Sequence, residues 1–206
     1  MAGERVMFKI PTDQKKLKSL ISRYKSEMKR EEKEHGFLSD GAGKRYILFF
    51  LYFILNDSAK SLDYIKWYEE KCPNDVGDPI QKLCWVLMLY RAGEQYEARV
   101  RAADLMLSNL YMIPFVLGRD TRIHRIWYGS NLEERDFVSN TPAEILNSIG
   151  NEERDWLASV YDDPLFVQLR KKHIELMRKV KKLDVGKERT KLLGEARSLL
   201  KDMQFS

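Results

Sequence analysis

Ten consecutive apolar residues, YILFFLYFIL from Tyr46 to Leu55, constrain this chain more than any other feature. A bilayer-spanning helix needs about 20 such residues, so the run has half the length of a membrane crossing. It is apolar all round rather than along one stripe, which is the pattern of a helix from Lys44 to Leu55 packed on several sides. Such a helix cannot stand alone. Its neighbours in the sequence have to supply the faces that cover it.

Those neighbours carry helical periodicity. In TDQKKLKSLISRYKSEMKREEKEHG, Leu17, Leu20, Ile21, Tyr24 and Met28 recur at steps of three and four, with Thr12 as the expected N-cap and Gly36 as the stop. After the Asn56-Asp57 turn, Leu62, Ile65 and Tyr68 or Glu69 continue a helix that Pro73 ends. DPIQKLCWVLMLYRAG then opens on Asp78-Pro79, with proline at the first helical position, and closes at Ala92-Gly93. EQYEARVRAADLMLSNLY is its polar-faced partner.

These helix pairs resemble tetratricopeptide repeats over residues 40–115. In that family an aromatic position in the first helix is followed nine residues later by a small one in the second. Tyr52 and Ser61 match that interval, Ile65 takes the bulky site four further on, and Pro73 stands at the closing proline. Leu89 and Ala98 repeat the pair 37 residues later. The chain departs from the pattern at Phe49 and Val86, where a small residue is usual, at Ala102, which occupies the bulky site, and in lacking the second closing proline. Asn109, Pro114, Leu117, Gly118, Trp127, Gly129 and Ser130 are similar to a segment of some helical-repeat proteins to which no activity is attached. The resemblance implies an all-α fold of antiparallel helix pairs stacked as a short solenoid.

The last third is punctuated clearly. Thr141-Pro142-Ala143-Glu144 reads as a capping box for a short helix to Ile149, and NEERDWLASVY as another. Asp163-Pro164 starts a helix with the stripe Leu165, Leu169, His173, Leu176, Met177, Val180 and Leu183. A final helix after Gly186 carries Leu192, Leu193, Ala196, Leu199, Leu200 and Met203. The expected organisation is a helical-repeat domain over 1–160 and a basic helical hairpin over 161–206, packed on the same domain.

Charge is distributed unevenly: residues 1–35 carry +4, residues 36–164 carry −6 and residues 165–206 carry +7. Two cysteines, Cys72 and Cys84, form no disulfide framework, and Cys84 reads as a small buried residue. With no leader-like segment and no long apolar stretch, the expected location is cytoplasmic, without membrane insertion.

The inventory for chemistry is short. SDGAGKRYILFF imitates a nucleotide-binding loop, but a phosphate loop needs G-x-x-x-x-G-K-[ST]. Here Leu38 stands at the first glycine position and Arg45 at the hydroxyl position, so the glycines serve an interhelical turn. No metal-ligand spacing occurs, no cofactor is expected, and no catalytic residue is assigned. The paired acids, including Glu133-Glu134 and Glu152-Glu153, read as solvated faces. One loop concentrates reactive side chains: Arg119, Asp120, Arg122, His124, Arg125, Trp127 and Tyr128 are candidate binding residues, and His124 beside these arginines suits acid-base work on an anion. On the hairpin, Arg170, Lys171, Arg178, Lys179, Lys181 and Lys182 lie opposite the apolar stripe as a candidate anion-binding face, with Phe166 and Phe205 as the aromatics nearby.

The function expected from this sequence is a protein-interaction or scaffold module whose partner is another protein or peptide. A nucleic-acid-associated protein using the basic terminal helices is the alternative, and an enzyme acting near His124 the lesser one. A homo-oligomer is compatible with either binding role.

Overall fold

The computed structural model describes residues 9–38, 40–41, 43–120 and 122–201. Ten α-helices and two short 3-10 segments account for the regular structure, with no strand among the described residues. The helices are α1 (Gln14–His35), α2 (Lys44–Leu55), α3 (Ser58–Lys71), α4 (Pro79–Arg91), α5 (Gln95–Ser108), α6 (Met112–Val116), α7 (Ala143–Asn147), α8 (Asn151–Asp162), α9 (Pro164–Val180) and α10 (Lys187–Ser198). The chain is therefore all-α, and none of its described helices is long and apolar enough to cross a membrane.

The apolar run becomes α2, and its burial follows the expectation. Leu48, Phe49, Leu51, Tyr52, Phe53 and Leu55 are all buried, because α1, α3, α4 and α7 each pack against it. Its sharp end is made by Asn56, which takes a left-handed conformation (φ 54°) that asparagine tolerates better than most residues, and Asp57 then caps α3 through Lys60 N. The second apolar helix, α4, is enclosed further still: eleven residues, Pro79 to Leu89, are buried. Asp78 accepts from the amides of Ile80 and Gln81, with Pro79 placed where its missing N–H costs nothing. α5 lies against α4 through the small buried residues Ala98, Ala102 and Ala103, which bring the two backbones together.

Aromatic rings join α2, α3 and α4. Phe49 meets Tyr64, Tyr68 and Trp85 at centroid distances of 5.1, 5.0 and 5.3 Å. Phe49 thus fills the space among three helices. The C-terminal helices close the other side, with α9 on α5 and α8, and α10 folded back on α9. Buried apolar residues from Ile10 to Leu199 form one continuous core.

Several local expectations are corrected. Asp13, not Thr12, caps α1, accepting from Lys16 N. Thr141 makes no capping box; its hydroxyl donates to the Val138 carbonyl, and α7 begins after Pro142 and ends at Asn147. Glu153 does not face water but is buried against Arg91. Phe166 is fully buried and presents no ring to a ligand. Met203 and Phe205 lie outside the described residues.

Candidate functional site

The imitation phosphate loop is filled from within. At the start of α2, where a phosphate would take backbone amides, the Asp40 carboxylate accepts from Lys44 N and Arg45 N, both at 2.8 Å. Its side chain is fully buried and also pairs with the Arg45 guanidinium at 3.1 Å. Arg45 in turn bonds Asp75 at 2.5 Å, and Tyr46, whose hydroxyl donates to Asp75, has its phenol pushed up to about 12 by burial and by that carboxylate. A carboxylate on a helix N-terminus satisfies the orphan amides and the positive end of the dipole together. Asp40→Ala is therefore expected to lower stability by about 2 kcal/mol in urea unfolding, since it orphans two amides and takes from Arg45 one of its two carboxylates. A loss below about 0.5 kcal/mol would mean that the carboxylate is not seated there.

The loop of candidate residues after α6 is spread out rather than convergent. Arg119 pairs through both terminal nitrogens with Asp162 at 2.7 and 2.8 Å, and Asp120 extends into solvent near Arg135. Arg122 and Arg125 are exposed. His124 is half-buried, stacked on Tyr111 with centroids 5.6 Å apart, while its backbone N–H donates to the Tyr111 hydroxyl and its carbonyl accepts from Tyr128. Its pKa is lowered by burial and then by the positive charges of Arg178 and Arg170, so neutral imidazole is favoured near pH 7. Trp127 donates its amide to the Met177 carbonyl and lies under Arg189. The Tyr111–Tyr128 hydroxyl pair at 2.7 Å and the buried Asn109, which donates to the carbonyls of Leu132 and Glu134, shape this segment from inside. These residues staple a loop to the helices; they line neither of the two larger cavities.

The basic hairpin divides likewise. Lys171, Arg178, Lys179, Lys181 and Lys182 are exposed, but Arg170 is half-buried, lies 3.9 Å from the Tyr161 ring and donates to the Tyr161 carbonyl. Arg170 is thus a packing residue, not part of an outward face. Among the described residues no group of three or more His, Cys, Asp or Glu could hold a metal.

A larger concavity than the one beside Asp75 lies between other helices, away from the candidate residues above. A groove of about 780 Å³ runs between α1 and α3 with α2 as its floor. On α1 it is lined by Lys18, Ser22, Lys25, Lys29 and Glu32, spaced four, three, four and three residues apart; on α3, by Lys60, Tyr64, Trp67 and Lys71, spaced four, three and four apart. Leu48, Tyr52 and Leu55 form the floor, with Ile21 and Met28 at its α1 side. Gln14 reaches the Leu55 carbonyl at one end and Lys71 bridges to Glu32 at 2.7 Å at the other, so α1 and α3 run alongside each other and antiparallel to α2. The signal was present in the sequence as these 3.5-residue stripes. It needs the three-dimensional pairing of α1 with α3 before it becomes a site.

A second cavity, of about 240 Å³, lies among α3, α4 and α5 beside Asp75, Gly77 and Trp85. Its wall includes Gln81, fully buried with neither amide atom hydrogen-bonded. It falls below the roughly 300–1,000 Å³ of ordinary ligand pockets, whereas the α1–α3 groove falls well inside that range. No family model matches the chain, and neither a curated protein nor a solved structure shows significant similarity to it.

Proposed function

We propose that this protein is an interaction module of the helical-repeat type, whose antiparallel helix pairs present the α1–α3 groove to a segment of another protein. The single observation that supports the reading is the groove itself: about 780 Å³, floored by apolar and aromatic side chains and walled by helices whose buried residues already hold them in place. A preorganised groove costs little to order on binding, which leaves more of the contact energy for affinity. The tetratricopeptide-like spacing of Tyr52, Ser61 and Ile65 agrees with such a role, since stacked helix pairs produce extended concave surfaces.

Panning a random-peptide display library on the protein tests this. The expected result is a set of clones whose binding is lost with Ser22→Tyr, which adds bulk to an exposed groove wall, and is retained with Lys172→Ala on α9. Clones indifferent to Ser22→Tyr, or none at all, would remove the proposal.

A further inference from the structure

We infer that the groove's occupant is an acidic amphipathic helix, a proposal that rests on the interaction-module reading and narrows it to one class of partner. Five of the lining side chains are lysines (Lys18, Lys25, Lys29, Lys60 and Lys71), against one acid, Glu32. Two of the five are already paired, Lys71 with Glu32 and Lys60 with Asp57, while Lys18 lies within the field of Asp57 without an ion pair to it. Lys25 and Lys29 make no ion pair among the described residues, although α1 places Glu27, Glu31, Glu32 and Glu34 close by in sequence. Those acids are turned to Arg23, Lys44, Lys71 and Arg30 instead. The helix thus keeps two lysines free on the wall of an apolar groove, an arrangement that complements an anionic partner with an oily face.

The shape selects a helix. From Lys18 to Glu32 the α1 wall spans about 21 Å at the usual rise of 1.5 Å per residue, the length of a helical peptide of about 14 residues. Residues facing the groove recur at alternating steps of four and three on both walls and at the same steps on the floor, which is the register in which helical side chains interleave. A helix laid between α1 and α3 over α2 would complete a four-helix layer. Its apolar row would meet Trp67, the partly exposed ring of the lining, and the aliphatic stems of the lysines, and its flanking acids would meet the lysine ammonium groups.

Single-stranded nucleic acid would also answer to lysines and aromatics, but the rings are not offered as stacking platforms. Tyr64 is stacked between Tyr52 and Trp67, at 4.9 and 5.5 Å, and Tyr52 and Tyr64 are only 4 % and 2 % exposed. Both faces of Tyr64 are spent on its neighbours, and Trp67 has one face against it, which leaves no row of successive platforms. Base stacking needs a free face on each ring, whereas an aliphatic side chain can pack on the ring edges and the lysine stems beside them.

The test is titration of the intact protein with about 14-residue probe peptides, followed through tryptophan fluorescence with Trp67→Phe as the assignment control. The probes share one leucine row and carry glutamate, glutamine or lysine on its flanks; a thymidine oligonucleotide of similar length is run alongside. The glutamate peptide should bind most tightly, become helical, weaken at least tenfold with Lys25→Glu/Lys29→Glu and weaken further as salt rises. Both substitutions lie on exposed positions, and circular dichroism confirms that the variant is folded. Equal or tighter binding of the glutamine or lysine peptide through Trp67 overturns the acidic-helix inference and leaves the interaction-module reading standing. Tighter binding of the oligonucleotide overturns the inference in favour of nucleic acid. Failure of every probe, together with no Ser22-dependent clones from panning, removes both.

Discussion

Replacing Arg91 by alanine is expected to cost about 3–5 kcal/mol of folding stability, a large share of the roughly 5–15 kcal/mol that holds a domain together. Arg91 ends α4, and its guanidinium ties four parts of the molecule. Nε meets Glu153 on α8 at 2.6 Å, Nη1 donates to the Phe53 carbonyl of α2 at 2.7 Å, and Nη2 donates to the Ser148 carbonyl after α7 at 2.6 Å. The plane also lies 4.0 Å from the Phe53 ring. The two charged side chains are 16 % and 8 % exposed, so water can replace little of what the substitution removes. Truncation leaves a buried carboxylate without its cation and two carbonyls without a donor, and the penalty comes from those stranded groups rather than from the worth of the pair itself. The same logic makes Glu153→Ala comparably costly, because Glu153 also accepts from Gly150 N at the start of α8. The double variant Arg91→Met/Glu153→Leu should lose less than the two truncations summed, since neither charge is then left alone. Urea unfolding of the set decides it: single losses under about 1 kcal/mol, or strict additivity, would show that the pair is solvated and not a fastening of α4 to α8.

That fastening marks where the sequence ceased to be informative. Local signals were legible because they are set by neighbours in the chain: Asp57, Asp78 with Pro79, Asp163 with Pro164, and Gly36 at φ 76° all sit where composition placed a helix end. The burial of α2 was legible because ten apolar residues have no other economical fate in water. Glu153 was not, because a charged residue in a helical stretch is solvated unless a partner is brought to it, and Arg91 lies 62 positions away. Thr141 and Glu144 had the right letters for a capping box, yet the preceding 3-10 turn already supplied the threonine hydroxyl with the Val138 carbonyl. A local competitor won over a local signature.

The candidate site follows the same division. The false phosphate loop could be rejected from Leu38 and Arg45 alone, but the occupation of its amides, which already donate to Asp40, is geometric. His124 drew interest through its company of arginines, and the fold keeps that company while stacking the ring on Tyr111. The lysine stripe of α1 was hidden in a helix where more than half the residues are charged. Which of its faces mattered depends on α3, and nothing along the chain says that residues 25 and 67 face each other across one groove.

His173 supplies the second large effect, and it is one of pH. The ring lies on the partly buried side of α9; Nδ1 is buried with no hydrogen-bond partner, and burial pushes the imidazole down to about 4. An unfolded histidine titrates near 6.5. Above that value both states are neutral and the residue contributes no pH dependence. As pH falls from about 6.5 toward 4, the unfolded chain takes up the proton and the folded one does not, so stability drops by up to about 1.4 kcal/mol per unit, about 3 kcal/mol in all. His124, also lowered by burial and by two arginines, acts in the same direction. The carboxylates held below their ordinary range, Asp75 through Tyr46 and Arg45 and Asp162 through Arg119, withdraw their support only at still lower pH, which separates the two regimes. His173→Gln cannot titrate. Relative to that variant, the unaltered protein should lose an additional 2–3 kcal/mol or so between pH 7 and 4.5 in urea unfolding. Parallel pH profiles for the two proteins would mean that the imidazole is protonated within the fold, and that the α9 face carrying it is open to water.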